Sequence, residues 1–286
     1  MTYYKLTGVL PYKFKELHDK YGDALRVAPN YLDYNSSVAW EDIYGFVKDH
    51  HKKNFPKDLV ERGVMENEPR NIIVADEEDH RRFRRLQSHV FSDKALTSQE
   101  PLIQDYARRF ISGLIKFSSL NSDGSINIGQ WYNYTTFDLI GDLAFGEPFG
   151  CVETGEMHPW IQLIFKVLEI SILINESKKY PILGAIVYFF IPRDIREKGM
   201  TREEIGNNAS LLIIAGSETT ASLLNGVTYH LLQSPTILQN LTLELRTIFK
   251  SQDDLTLHAL AACKYLNAVL EEGLRMYPQF HPLSPV

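Results

Sequence analysis

The stretch from Ala215 to Thr220 places a carboxylate and several hydroxyls inside an apolar run of the sequence. Such groups are costly to bury unless they are paired or functional. Gly216 removes a side chain, so a flat ligand can approach the backbone there. The hydroxyl of Thr219 can bond back to the carbonyl of Ala215 and bend the helix open. Two interpretations remain: a ligand groove in the middle of a helix, or a glycine packing notch with internally bonded polar groups.

A second feature, Asp79 to Leu86, combines a histidine with four arginines. His80 and Arg84 are four residues apart and therefore stack on one side of a helix, where both can donate to an anionic group. The other arginines spread around the helix, and aromatic residues that could stack on bases are scarce. This arrangement does not favour nucleic-acid binding. A solvated charged face is the alternative interpretation.

A third feature lies near the C-terminus, where Glu272 and Arg275 are three residues apart and Pro278 follows. The spacing puts the two charges on one face of a helix. Taken alone, it describes a solvated surface ion pair on most helices.

The elements that must position these residues are mostly helices. A capping-box spacing from Thr201 to Glu204 predicts the start of an unusually long central helix that ends near Leu232. One of the few strand signals is a short hairpin around Pro29 and Asn30. We therefore predict a mainly α fold with a small N-terminal β hairpin. The other predicted helices are Ala39–Lys48, Asp79–Val90, Leu102–Phe117, Gln130–Phe145, Trp160–Ile174, Thr236–Phe249 and Tyr265–Met276.

Composition restricts the classes of function. The chain has 286 residues, is 44% hydrophobic and carries a net charge of −6, which provides no general attraction to nucleic acid or anionic membranes. Two cysteines are too few for a disulfide framework and lack zinc-site spacing, which favours a reducing compartment. The first twelve residues contain no apolar segment of anchor length. The apolar run Ile182–Ile191 is too short to cross a bilayer and fits either an interfacial segment or a buried one.

The three motifs are accompanied by YGDALRVAPN and AWEDIYG upstream and by FDLIGDLAFGEPFG between them. In this order, they resemble the motifs of the cytochrome P450 superfamily of haem-thiolate monooxygenases. The resemblance covers Leu6 to Val286 and is strongest for fungal secondary-metabolism members, including trichothecene hydroxylases. It implies haem b as cofactor and NADPH-cytochrome P450 reductase as electron donor. It further implies an apolar small-molecule substrate and a location at the endoplasmic reticulum membrane.

The resemblance also implies roles for individual residues. His80 and Arg84 would bind the haem propionates, and the remaining arginines of that helix would face the acidic reductase. The long helix would lie across the distal haem face. Ala215 and Gly216 would line the oxygen-binding groove, and Glu218 and Thr219 would deliver protons to bound dioxygen. Glu272 and Arg275 would belong to a buried ion-pair network that holds the core around the haem.

The sequence departs from the family pattern at the iron ligand. In the family, the axial cysteine lies in a glycine-rich loop after the helix that carries the Glu272 and Arg275 match, and neither Cys151 nor Cys263 lies at that position. Residues 1–286 therefore resemble a single, partial P450 domain without its iron ligand. The expected missing parts are the N-terminal anchor, a segment near residues 192–200 and the haem-ligand region. Without an anchor, we expect a cytoplasmic or peripheral membrane location.

Two functional interpretations follow from these departures. In the first, the chain is a monooxygenase by descent that does not hydroxylate a substrate in this form, with haem binding itself in doubt. In the second, it is a degenerate paralogue that binds a partner or is inert. Both predict exposed apolar residues on the last two helices, because the family would cover those residues with sequence that is not found here.

Overall fold

A computed structural model of the chain describes residues 2–45, 55–57, 70–88, 92–166 and 203–277, and only the backbone of residues 203–210. The apolar run Ile182–Ile191, the predicted junction at residues 192–200, Thr201 and Pro278 lie outside the described residues. The described residues belong to two compact units, one drawn from residues 1–81 and 163–204 and the other from 82–162 and 205–280. A single domain over residues 1–286 stays a prediction.

The first unit contains the predicted hairpin. Strands β1 (Ala24–Ala28) and β2 (Tyr31–Tyr34) pair antiparallel, with Ala24 opposite Tyr34 and a bulge before Ala28. Two helices that the sequence patterns did not reveal precede it, α1 (Thr2–Leu6) and α2 (Leu10–Tyr21). Helix α3 (Ser37–Tyr44) follows, and the side chain of its N-cap residue accepts a backbone N–H in its first turn.

Helix α4 (Glu77–Gln87) carries the histidine and the arginines and contains residues of both units. Its first turn holds three acidic residues, which suit the positive end of the helix dipole. Asp76 accepts the backbone N–H of Asp79 at 3.0 Å and so caps the helix. Phe83 is buried and anchors the helix to the protein.

The second unit is helical throughout the part that the structure describes. Its first helices are α5 (Asp93–Ser118), α6 (Ile128–Phe145) and α7 (Cys151–Thr154), and residues 159–162 are also helical. The long helix α8 (Glu203–Gln233) has 31 residues, which confirms the predicted central helix. The last helices are α9 (Pro235–Ile248), the 3-10 turn Gln252–Asp254, α10 (Leu257–Ala261) and α11 (Lys264–Met276).

Helix α8 packs against α6 and α11 through close contacts at glycines. A side chain at Gly273 of α11 would overlap Val227 of α8. The hydroxyl groups of Tyr132 on α6 and Thr228 on α8 are 2.8 Å apart and share a hydrogen bond. These contacts fix the C-terminal half of α8 in the second unit.

Candidate functional site

The motif from Ala215 to Thr220 lies within α8, which is helical without interruption across it. The hydroxyl of Thr219 donates to the carbonyl of Ala215 at 2.5 Å, the bond that the sequence predicted. Thr220 and the buried Ser217 make the same bond to the carbonyl four residues earlier. A carbonyl oxygen has a second lone pair for such a hydroxyl, and the predicted opening of the helix stays a prediction.

Glu218 is the residue of this motif whose side chain lacks a full set of hydrogen-bond partners. One carboxyl oxygen, Oε2, is buried and has no hydrogen-bond partner among the described residues. Burial raises the pKa of Glu218, and a hydrogen bond from Ser222 one turn later partly opposes this rise. The carboxyl therefore keeps its proton to a higher pH than an exposed glutamate does, and while protonated it can donate a hydrogen bond as well as accept one.

Gly216 leaves part of the α8 surface open. The residue is exposed, and a Cβ added to it would lie 3.0 Å from Cδ1 of Ile140 on α6. Because that atom is the far end of a flexible side chain, the contact is a mild packing constraint. Gly216 thus has features of both sequence interpretations, a notch toward α6 and a backbone surface that a ligand can reach.

The helix α4 places His80 and Arg84 on one flank. Residues four apart on a helix are separated by about 40° of rotation. The guanidinium of Arg84 is exposed and has no ion pair among the described residues, whereas His80 is half-buried. On another face, Arg81 pairs with Glu77 at 3.0 Å. Arg84 therefore has the donors that an anionic group such as a propionate needs, and propionate binding by Arg84 and His80 stays a prediction.

Glu272 and Arg275 form an ion pair with two hydrogen bonds, each of 2.6 Å. The pair is exposed, with 53% of the Glu272 side chain and 70% of the Arg275 side chain accessible. The predicted burial of this pair is therefore wrong for the described structure. On α11 the buried position is Gly273, which faces α8, and both charged residues lie about 100° or more around the helix from it. The hydrogen bond from Arg275 lowers the pKa of Glu272.

Both cysteines are buried thiols rather than candidate thiolates. Burial, with help from the charge of Asp138, raises the pKa of Cys151 to about 11. Burial and the charge of Glu244 raise the pKa of Cys263. A haem-thiolate bond requires the ionised sulfur. That neither cysteine takes the role of iron ligand stays a prediction, and the described residues contain no cluster that could hold a metal ion.

Two acidic residues that sequence reasoning missed, the buried Asp138 and the half-buried Glu244, hold helix N-termini. Asp138 on α6 accepts the backbone N–H groups of Cys151 and Val152, at 3.0 and 2.8 Å. Glu244 on α9 accepts two backbone N–H groups in the first turn of α11, both at 2.9 Å. The acidic residues lie 13 to 22 residues from their partners, too far apart in the chain for a local pattern to link them.

Comparison with known proteins decides the family. The family model for cytochrome P450 matches residues 3–198 and 176–284 of the chain. The chain belongs to the cytochrome P450 family. The resemblance that the motifs indicated is therefore confirmed, and the mainly helical fold with a two-stranded sheet fits part of a P450 fold.

Fungal P450 proteins are among its relatives. Cytochrome P450 monooxygenase aclL of Aspergillus oryzae is 38% identical over 97% of this chain and 63% of its own length. Cytochrome P450 monooxygenase astA of Talaromyces wortmannii is 36% identical over 99% of this chain and 64% of its own length. The trichothecene C-15 hydroxylase of Fusarium sporotrichioides is 33% identical over 96% and 62%. The chain thus spans less than two thirds of the length of these relatives.

The P450 family implies haem, and the described residues fit that group only in part. The exposed guanidinium of Arg84 and the open backbone at Gly216 suit a propionate and a flat ring, respectively. The two cysteines do not suit the iron, because both sulfur atoms are buried within the protein. None of the described helices is long and apolar enough to cross a membrane.

Proposed function

We propose that this chain carries the distal and propionate-binding parts of a P450 haem pocket from a monooxygenase lineage of fungal secondary metabolism, and that by itself it does not hydroxylate a substrate. The single observation that supports the second part is the burial of the sulfur atoms. Cys151 and Cys263 are each only 1% exposed, so neither sulfur is accessible to a haem iron. Oxygen activation belongs to a thiolate-ligated haem, so we assign no reaction step to this chain alone.

The described residues have tasks that do not depend on that ligand. Glu218 would hold a proton to a higher pH than an exposed glutamate, since its carboxyl is partly buried and its Oε2 has no hydrogen-bond partner among the described residues. Thr219 would remain a hydrogen-bond acceptor, because its own proton is donated to Ala215. Arg84 and His80 would orient the two propionates as cationic or hydrogen-bonding donors.

The partners that we propose follow from charge and family. The exposed arginines of α4 form a local basic surface on a chain of net charge −6, and they would steer an acidic reductase such as NADPH-cytochrome P450 reductase. The substrate class would be apolar small molecules, as for the fungal relatives' lineage. We place the protein at the surface of the endoplasmic reticulum membrane or in the cytoplasm.

A chimera tests whether the chain carries a working part of the pocket. The C-terminal third of the Aspergillus oryzae relative, with its axial cysteine, would be fused after residue 284. We expect the chimera, after reduction and addition of carbon monoxide, to give the spectrum of a thiolate-ligated haem. Exchange of Arg84 for Gln should weaken haem retention, whereas the same exchange at Arg81 should not. A chimera that folds but retains no haem would contradict the proposal.

A partner-binding role without catalysis is the second candidate, and one observation favours it. Large apolar side chains on the last helices are exposed, as the sequence analysis expected. They are Leu243 and Ile248 on α9 and Leu274 and Met276 on α11. Exposed apolar patches on soluble proteins are commonly interaction sites. Recovery of a stoichiometric partner from native lysate, lost on exchange of Leu243 and Leu274 for Ser, would favour this role, and recovery of chaperones alone would count against it.

A further inference from the structure

The buried imidazole of His18 has an acceptor at each of its two ring nitrogens. His18 lies in the last turns of α2 and is only 8% exposed. Its Nδ1 is 2.8 Å from the carbonyl oxygen of Gly22, and its Nε2 is 2.7 Å from Oδ2 of Asp33 on β2. A carbonyl and a carboxylate can only accept hydrogen bonds. Both contacts are therefore hydrogen bonds only when both ring nitrogens carry a proton.

The groups around the ring favour the imidazolium. The charged groups that face it from neighbouring elements are Asp33 on β2 and Asp23 in the turn after α2, and both are acidic. Burial alone lowers the pKa of His18, but the hydrogen bonds to Asp33 and Gly22 and the two acidic charges outweigh burial and raise it. The neighbouring Asp19 points elsewhere and pairs with Lys15 at the surface.

The same contacts join α2 to the hairpin. Gly22 has a φ of 93° and ends α2, and its N–H donates to the carbonyl of His18 at 2.9 Å. The His18 ring returns a bond to the carbonyl of Gly22 and adds one to β2, 15 residues away in the chain. One side chain thus closes the end of α2 and holds the hairpin against it.

We propose that His18 is a pH-sensitive latch that holds the β1–β2 hairpin to α2 while the imidazole is protonated and releases it on deprotonation. The folded state binds the proton more tightly than the unfolded state, so the contribution of the latch is fully present below the ordinary histidine value of about 6.5. This contribution is lost as the pH rises through the higher folded value. The latch lies in the first unit and requires neither haem nor the function proposed above.

An NMR titration of the His18 ring in the whole chain tests the latch. We expect the ring to titrate above the ordinary histidine value. Asp33→Asn should lower the titration midpoint, because the carboxylate partner is lost. Asp19→Asn is the matched control, an acid-to-amide change one residue from His18, and it should leave the midpoint unchanged. A ring that titrates at or below the ordinary value, or an equal effect of the two variants, would overturn the proposal.

Hydrogen exchange of the hairpin amides supplies a second readout. After correction for the intrinsic pH dependence of exchange, protection of β1 and β2 should fall about tenfold as His18 loses its proton, since a hydrogen bond to a charged group is lost. In His18→Gln, protection should not change over the same pH range. Unchanged protection in the natural chain through the titration of His18 would also overturn the latch.

Discussion

At the scale of single residues, Glu218 has a buried carboxyl oxygen that lacks a hydrogen-bond partner among the described residues. Its Oε2 is buried without a partner, while the neighbouring hydroxyls of Ser217 and Thr219 each donate to a backbone carbonyl. The folded state therefore holds a proton on Glu218 more tightly than the unfolded state does. Stability contributed by this proton is present at low pH and is lost as the pH rises from the unfolded pKa through the folded one.

Glu218→Gln should remove the loss of stability that accompanies ionisation of Glu218 as the pH rises. We expect the variant to be more stable than the natural chain at pH 7, by about 1 kcal/mol, because a partly buried, unpaired charge is replaced by a neutral amide. The measurement is urea unfolding over a series of pH values. Glu271→Gln, an exposed change on α11, serves as the control and should stay within about 0.5 kcal/mol. An identical pH dependence in the natural chain and Glu218→Gln would contradict this account of Glu218.

Asp138 should be a strong structural residue although no motif indicated it. Its two carboxylate oxygens each accept a backbone N–H at the start of α7. Asp138→Asn places an amide N–H₂ against one of these donors, so we expect a loss of about 2 kcal/mol in the free energy of unfolding. Asp253→Asn, in the exposed 3-10 turn, should change stability little. Equal unfolding midpoints for the two variants would show that the Asp138 contacts contribute nothing.

Contacts between residues close together in the chain could be predicted from the sequence, whereas contacts between residues far apart in the chain could not. The bond from Thr219 to Ala215 follows from helical geometry and was predictable. Asp138 and Glu244 could not be found, because their partners are brought near only by the packing of separate helices. The exposure of Glu272 and Arg275 depends on which face of α11 is covered, which spacing alone does not fix.

At the scale of elements, close contacts at glycines set how near the helices approach. A Cβ at Gly113 of α5 would overlap the ring of Trp131 on α6, whereas one at Gly216 of α8 would meet only the end of the Ile140 side chain. Rigid rings in a packed core yield less than flexible chain ends. The two glycines therefore predict different costs for the same substitution.

Gly113→Ala should destabilise the chain by about 1–3 kcal/mol, because the ring of Trp131 must move. Gly216→Ala should be neutral or slightly stabilising, because alanine favours the helix by about 1 kcal/mol over glycine and the contact with Ile140 can relax. Thermal unfolding of both variants under one set of conditions is the measurement. A larger loss for Gly216→Ala than for Gly113→Ala would contradict the packing described for α5, α6 and α8.

Helix ends were predictable where local chemistry marks them. Pro235 in the first turn of α9 and the apolar periodicity of α11 predict the bounds of these two helices to within one residue at each end. The start of α5 was predicted too late, at Leu102. The helix begins at Asp93, where Ser92 caps it, and continues through Pro101, whose lost backbone bond is outweighed by the rest of a 26-residue helix.

At the scale of the whole molecule, the order of motifs identified the family before any contact was known. The match to P450 proteins across 97% of the chain confirms that reading, although each motif alone had an ordinary structural interpretation. The inaccessibility of the sulfur atoms needed the structure, because the sequence does not show that Cys151 and Cys263 are buried. Family membership and catalytic competence are therefore separate properties of this chain.

The carbon monoxide difference spectrum of the reduced 286-residue chain, loaded with haemin, tests the central claim most directly. Since neither cysteine is placed as a thiolate, we expect no difference peak of the kind that thiolate-ligated haem gives, even if haemin binds nonspecifically. The Aspergillus oryzae relative, treated in the same way, supplies the positive control. A thiolate-type peak from this chain, abolished by Cys151→Ser or Cys263→Ser, would contradict the account.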